Sequence, residues 1–289
     1  MEGSFRRQHE LKGGDVGYLL IALFAWPVAW AVIGARSLAG EKPGRSRRTG
    51  LAACWPWTDG TGRRPMGVLR TLLAGPFVLL YLVVSWALFV PLAEPEGGKY
   101  WIDEERVGAF VYRIPDLTAD FPRALRSLVT APFLNHDSVQ LVYVTLLALL
   151  FGLVFEVREG TRTTALLFFG TSFVGAVVAG VLLHLIYPEV VEASFLERAW
   201  TRTWSGGSAG CFGLMGAFAA RARRPGPLLG FFLVWELNVA WWNLRSYTPA
   251  FHLTALVVGF LLTRYVIVPA RFDGAGAPRV GLRPSIGRG

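Results

Sequence analysis

Cysteine and charge are what this 289-residue chain has least of, and each scarcity excludes something. The only two cysteines, Cys54 and Cys211, lie far apart, one in a basic loop and one in an apolar glycine-rich stretch. That arrangement excludes a disulfide framework and a thiolate metal pair, and no metal or organic cofactor is implied elsewhere. Charged residues make up 17% of the chain against 53% hydrophobic ones, and several apolar runs approach or exceed the roughly 20 residues that cross a bilayer. The net charge of +9 does not signal nucleic acid, because the Lys and Arg residues gather in particular loops, as orientation signals do. An internal repeat is also missing, which argues against a repeat-built transporter.

What remains is an all-α polytopic membrane protein, since only helices or closed barrels satisfy backbone groups in lipid. The run Val16 to Ile33, with Trp26, Pro27 and Trp30, is too long for a signal-peptide core and reads as an uncleaved first helix within residues 1–36. Residues 37–66 form a basic loop, cytoplasmic by the positive-inside rule, which places the N-terminus outside and the C-terminus inside. Further spans are expected at Val68 to Leu92, Val139 to Phe155, Thr164 to Tyr187, Ser205 to Ala220, Leu228 to Leu244 and Ala250 to Val268. A long outer loop, residues 93–137, carries an amphipathic helix between Ala119 and Leu134, and residues 189–202 form a second, acidic-leaning outer loop. The tail, 270–289, is rich in Gly, Pro and Arg and is expected to be disordered. A plasma or bacterial inner membrane is the default location.

A polar or ionisable residue inside a span is costly and marks a function by default. Ser208 sits in the first turn of the fifth span and His252 in the first turn of the seventh, and both spans start at the outer face. Two residues far apart in sequence thus reach one depth, and a serine beside a general base is the minimum apparatus for acyl transfer. Glu236 and Asn238 lie in the sixth span, where helix packing or a proton-carrying role is the reading, and no third acid is evident to orient His252. His184 reads as interfacial. His136, at the start of the third span, faces the same side as Gln140 one turn on. The literal G-x-S-x-G around Ser208 is not the elbow of soluble hydrolases, because no strand precedes it.

Gly206, Ser208, Phe212, Gly213, Leu214, Met215, Gly216 and Ala217 together resemble the nucleophile helix of the rhomboid intramembrane serine proteases, and His252 with Ala255 and Gly259 is similar to their histidine helix. The resemblance runs over roughly 68–268 and implies a six-helix rhomboid-like core, residues 67–269, preceded by one extra N-terminal helix. It implies a Ser208–His252 dyad that cleaves transmembrane segments of membrane proteins in the lipid bilayer. In the second core helix Phe133, Leu134, Leu141, Gly152 and Glu156 keep the family frame, while Asn135, Gln140 and Val144 stand at its polar positions. Oxyanion binding then falls to the backbone of Ser208, to Gln140 and to His136. The alternative is a catalytically silent relative that binds membrane helices without cutting them.

Overall fold

Gly75 and Pro76 break what reads in sequence as one span beginning at Val68, giving a short helix α1, Val68–Leu73, and a longer α2, Pro76–Leu92. Proline suits the first helical position, where its fixed φ is helical and its missing N–H costs nothing. The computed structural model describes residues 68–96, 98–221, 225–242 and 247–267, with the two-residue strands Arg271–Phe272 and Pro278–Arg279. The expected first helix and the basic loop with Cys54 lie outside these residues. Within the tail expected to be disordered, the two short strands pair antiparallel.

After α2 the described residues of the expected loop include a hairpin and several helical segments. Strands β1, Ala93–Glu96, and β2, Lys99–Ile102, form a hairpin with Ala93 opposite Ile102. Single helical turns follow at Glu104–Val107 and Asp116–Ala119, then helix α3, Phe121–Thr130. Asp120 caps α3 by accepting the Arg123 N–H at 3.1 Å. As its sequence predicts, α3 is two-faced: Ala124, Ser127 and Leu128 are buried, while Phe121, Leu125 and Val129 form an exposed apolar stripe.

The remaining helices are α4, Ser138–Glu159, with a π-helical stretch at Ala148–Leu153; α5, Thr161–Ile186; α6, Ser194–Thr201; α7, Ser208–Arg221; α8, Pro225–Trp242; and α9, Thr248–Leu261, extended by a π turn to Val266. Three of them, Ser138–Glu159, Thr161–Ile186 and Thr248–Val266, are long and apolar enough to cross a membrane, and Pro76–Leu92 and Pro225–Leu237 are shorter apolar helices. Helix α6 replaces the expected loop, burying Leu196 and Ala199 on one side.

Helix α7 is the centre. Every residue from Gly210 to Ala220 is buried, together with Ser208, as expected of a helix apolar all round. It packs chiefly on α9 and α5. A Cβ at Gly216 would run into the Leu256 carbonyl and one at Gly259 into the Gly213 carbonyl, so α7 and α9 touch backbone to backbone.

Away from the start of α7, two carboxylates tie the helix ends. Buried Glu156 accepts the N–H groups of Phe77 at 2.8 Å and Val78 at 2.9 Å, filling two of the donors that α2 cannot satisfy internally. Glu159 receives a two-pronged pairing from Arg221, 2.8 Å to Nε and 3.0 Å to Nη2. Arg221 also donates to the carbonyls of Thr263 and Ile267, closing the π turn of α9.

Candidate active site

The chain reaches α7 through an extended segment held on both sides. Tyr112 and Trp204 exchange backbone hydrogen bonds of 3.0 and 2.7 Å, and the Gly206 N–H donates to the Ala131 carbonyl at 2.8 Å. Gly206 then turns the backbone with φ +101°, a conformation open to glycine, and a Cβ there would also strike the Gln140 amide. This fixes where Ser208 begins its helix. As the first helical residue, Ser208 has no partner one turn back within the helix, and its N–H is one of the four free donors at a helix start.

Ser208 and His252 meet as the sequence predicts: His252 Nε2 lies 2.9 Å from Ser208 Oγ. Both are buried, at 9% and 6% exposure. Phe212, one turn after Ser208, lies flat against the imidazole, with ring centroids 4.2 Å apart and 9° between planes. The spacing of Ser208 and Phe212 therefore places both on the face of α7 that meets α9. Gly216 on α7 and Gly259 on α9 let the two backbones approach closely enough for the pair to form. Trp204 in turn stacks on Phe251, the residue before His252, at 4.4 Å.

Glu236 adds a contact that the sequence does not record. Its Oε1 lies 2.8 Å from His252 Nδ1, on the opposite edge of the ring from Ser208, and the side chain is 2% exposed. It is an acid in contact with His252, at a position where sequence offers helix packing or a proton-carrying role. Its second oxygen has no hydrogen-bond partner among the described residues. The signal that could have found it is its rarity, a carboxylate inside an apolar helix.

Gln140 is held by three contacts. Its backbone N–H donates to the Asp137 cap at 2.7 Å, its Oε1 accepts the His136 N–H at 2.6 Å, and its Nε2 donates to the Ser205 carbonyl at 2.9 Å. These partners assign the amide orientation, and they leave the second N–H of Nε2 over. His136 precedes α4, which starts at Ser138, and its ring packs edge-on against Trp101 at 5.2 Å. Val144 is buried in the main core, with the Cys211 thiol 3.9 Å from its carbonyl, and its side chain has no donor to offer. Asn135 is 1% exposed, with neither side-chain polar atom paired among the described residues.

Ser208, His252, Gln140, His136, Gly206 and Trp204 all line one open cleft. Tyr112 lines it too, donating its hydroxyl to the Ala176 carbonyl at 3.2 Å. Burial, and then the nearby Asp116 carboxylate, push the Tyr112 phenol well above its ordinary value, so it remains a neutral donor. No group of three or more His, Cys, Asp or Glu that could hold a metal is found among the described residues.

Fold and cleft together define a helical integral membrane protein with a serine–histidine pair buried among its helices. The family described as Rhomboid domain matches residues 122–269, just over half of the 289-residue chain, and the chain belongs to the rhomboid family. Members of that family are generally intramembrane serine proteases that act on membrane proteins. The match starts at Pro122 and leaves α2 and the β1–β2 hairpin ahead of it. No curated protein and no solved structure matches the chain.

Proposed function

We propose that the chain is an intramembrane serine endopeptidase that cuts membrane-spanning segments of other proteins, with Ser208 as nucleophile and His252 as general base. The observation that carries this is the 2.9 Å approach of His252 Nε2 to Ser208 Oγ at the foot of an open cleft. Ser208 Oγ attacks the peptide carbonyl carbon as its proton passes to His252 Nε2. A C–O bond forms and the carbonyl oxygen becomes the oxyanion. Collapse breaks the C–N bond, and His252 returns the proton to the leaving amine. Water then repeats the cycle on the acyl-enzyme, with its proton passing through His252 to Ser208.

The Ser208 N–H and the free amide N–H of Gln140 are the donors assigned to the oxyanion, aided by the positive end of α7. This reading carries with it a six-helix core formed by α2, α4, α5, α7, α8 and α9, one added helix before it, and a cleft facing the outer side of the membrane. Transmembrane protein substrates are the partners.

One observation favours a second reading, a rhomboid-like protein that binds membrane helices without cutting them. Val144 sits in the core at a position where the resemblance expects a hydrogen-bond donor. Losing one oxyanion donor costs about 100- to 1000-fold in rate, which slows a protease without abolishing it. Labelling with a serine-reactive fluorophosphonate, paired with cleavage of a model transmembrane substrate, separates the two. The protease reading expects wild-type protein to label and cut, and Ser208→Ala to do neither while keeping its thermal midpoint, since only one hydrogen bond worth about 1 kcal/mol is lost. Equal labelling of both proteins, or of neither with the substrate left intact, establishes the binding protein instead.

A further inference from the structure

We propose that Glu236 is a positioning residue that completes a Ser208–His252–Glu236 triad, holding the base in the one tautomer that can take the serine proton. This rests on the protease reading above and adds a third member that a two-residue mechanism does not have. The imidazole of His252 spans two partners: Ser208 Oγ at 2.9 Å on Nε2 and Glu236 Oε1 at 2.8 Å on Nδ1. With Glu236 acting as a carboxylate in the proposed triad, only the imidazole can donate across the 2.8 Å contact, so Nδ1 carries the hydrogen. With the proton on Nδ1, the Nε2 lone pair faces the Ser208 hydroxyl. The other tautomer would set the Nδ1 lone pair against a carboxylate oxygen and leave Nε2 unable to accept.

The contact fixes geometry as well as protonation. Ser208 comes from α7, His252 from α9 and Glu236 from α8, so three helices each supply one member. Phe212 holds the ring by its face, while Ser208 and Glu236 hold it by its two edges. That leaves the imidazole with neither a tilt nor a flip that keeps all its contacts.

A packing role explains Glu236 poorly. A carboxylate at 2% exposure inside an apolar helix is expensive, and any leucine would pack there at less cost. Moreover, one of its oxygens is left without a partner among the described residues. The cost is recovered when His252 accepts the serine proton: a neutral ring beside a carboxylate becomes an imidazolium paired with it, in surroundings of low dielectric. That attraction exists in the transition state and not in the resting enzyme, so it raises kcat. The proton itself stays on the imidazole and none passes to Glu236. In this way the acid side of the ring offsets what the oxyanion side lacks at Val144.

The test combines kinetics with histidine NMR on the full chain in detergent or bilayer discs. Glu236→Gln keeps the shape and removes the charge; it is expected to lower kcat on the order of 10³- to 10⁴-fold, with KM within a few-fold and an unchanged thermal midpoint. Glu236→Asp restores the charge at a slightly longer reach and is expected to recover at least tenfold over Glu236→Gln. In ¹⁵N-histidine spectra of the chain's four histidines, with His252→Asn identifying the relevant signals, wild type should carry its proton on Nδ1 of His252 and Glu236→Gln should give mixed tautomers. The proposal is overturned if Glu236→Gln keeps kcat within about threefold of wild type, or if wild-type His252 carries its proton on Nε2. Should the wild type neither label nor cut, the protease reading fails separately, and the tautomer of His252 still decides for or against positioning by Glu236.

Discussion

In the proposed protease, Gln140 is the side chain expected to take over part of the oxyanion site. Its amide is clamped between the His136 N–H and the Ser205 carbonyl, so the remaining N–H is held without the entropy cost of a free side chain. Gln140→Ala removes the donor and releases the segment before Ser208, and kcat should fall about 100- to 1000-fold with little change in KM. Gly206→Ala reaches the same amide from the other side, because a Cβ at φ +101° is strained and collides with it. It should lower kcat by a similar factor. Progress curves on a model transmembrane substrate check both, and either variant at wild-type kcat would remove Gln140 from the oxyanion site.

Between elements, what matters is which helix pairs bear on the chemistry and which on stability alone. Ser208 and His252 ride on α7 and α9, whose backbones meet at Gly216 and Gly259. Gly216→Val pries these helices apart, so it should lower both the thermal midpoint and the fluorophosphonate labelling rate. Glu156→Ala acts elsewhere, stranding the buried N–H groups of Phe77 and Val78 at about 1 to 3 kcal/mol each. It should lower the midpoint of thermal unfolding while leaving the labelling rate unchanged at permissive temperature. Much of this element level is legible in sequence. The apolar runs mark the long helices, and the shared depth of Ser208 and His252 anticipates their meeting. Helix α6 escapes because Glu197, Arg198 and Arg202 hide the two small apolar contacts it makes. The outer loop folds on tertiary bonds such as Tyr112 with Trp204, which no local periodicity records. Glu236 escapes for a related reason: spacing within α8 says which residues share a face, not which face of α9 they meet.

At the scale of the whole molecule, the ends of the bundle differ in chemistry. The end where α7 starts holds the open cleft, which Leu128 of α3 helps to line, while the other carries Glu156, Glu159 and Arg221 in buried or half-buried pairings. Between the ends, large apolar side chains face outward, among them Leu80 and Val83 on α2, Leu166, Phe173 and Leu185 on α5, and Val234 and Leu237 on α8. An exposed apolar surface of this extent would aggregate in water and is satisfied by lipid. Arg158, Arg162 and Arg221 lie at the end away from the cleft, which the positive-inside rule assigns to the cytoplasm. On that assignment the proposed protease is expected to open its cleft on the outer side, where water for deacylation is plentiful. Single cysteines placed in a Cys54→Ser, Cys211→Ser background check this in intact cells with a membrane-impermeant maleimide. Ala119→Cys and Thr201→Cys, both exposed at the cleft end, should label without permeabilisation, and Thr161→Cys, exposed at the opposite end, only after it. The reverse pattern would turn the molecule over and put the reaction of Ser208 on the cytoplasmic side.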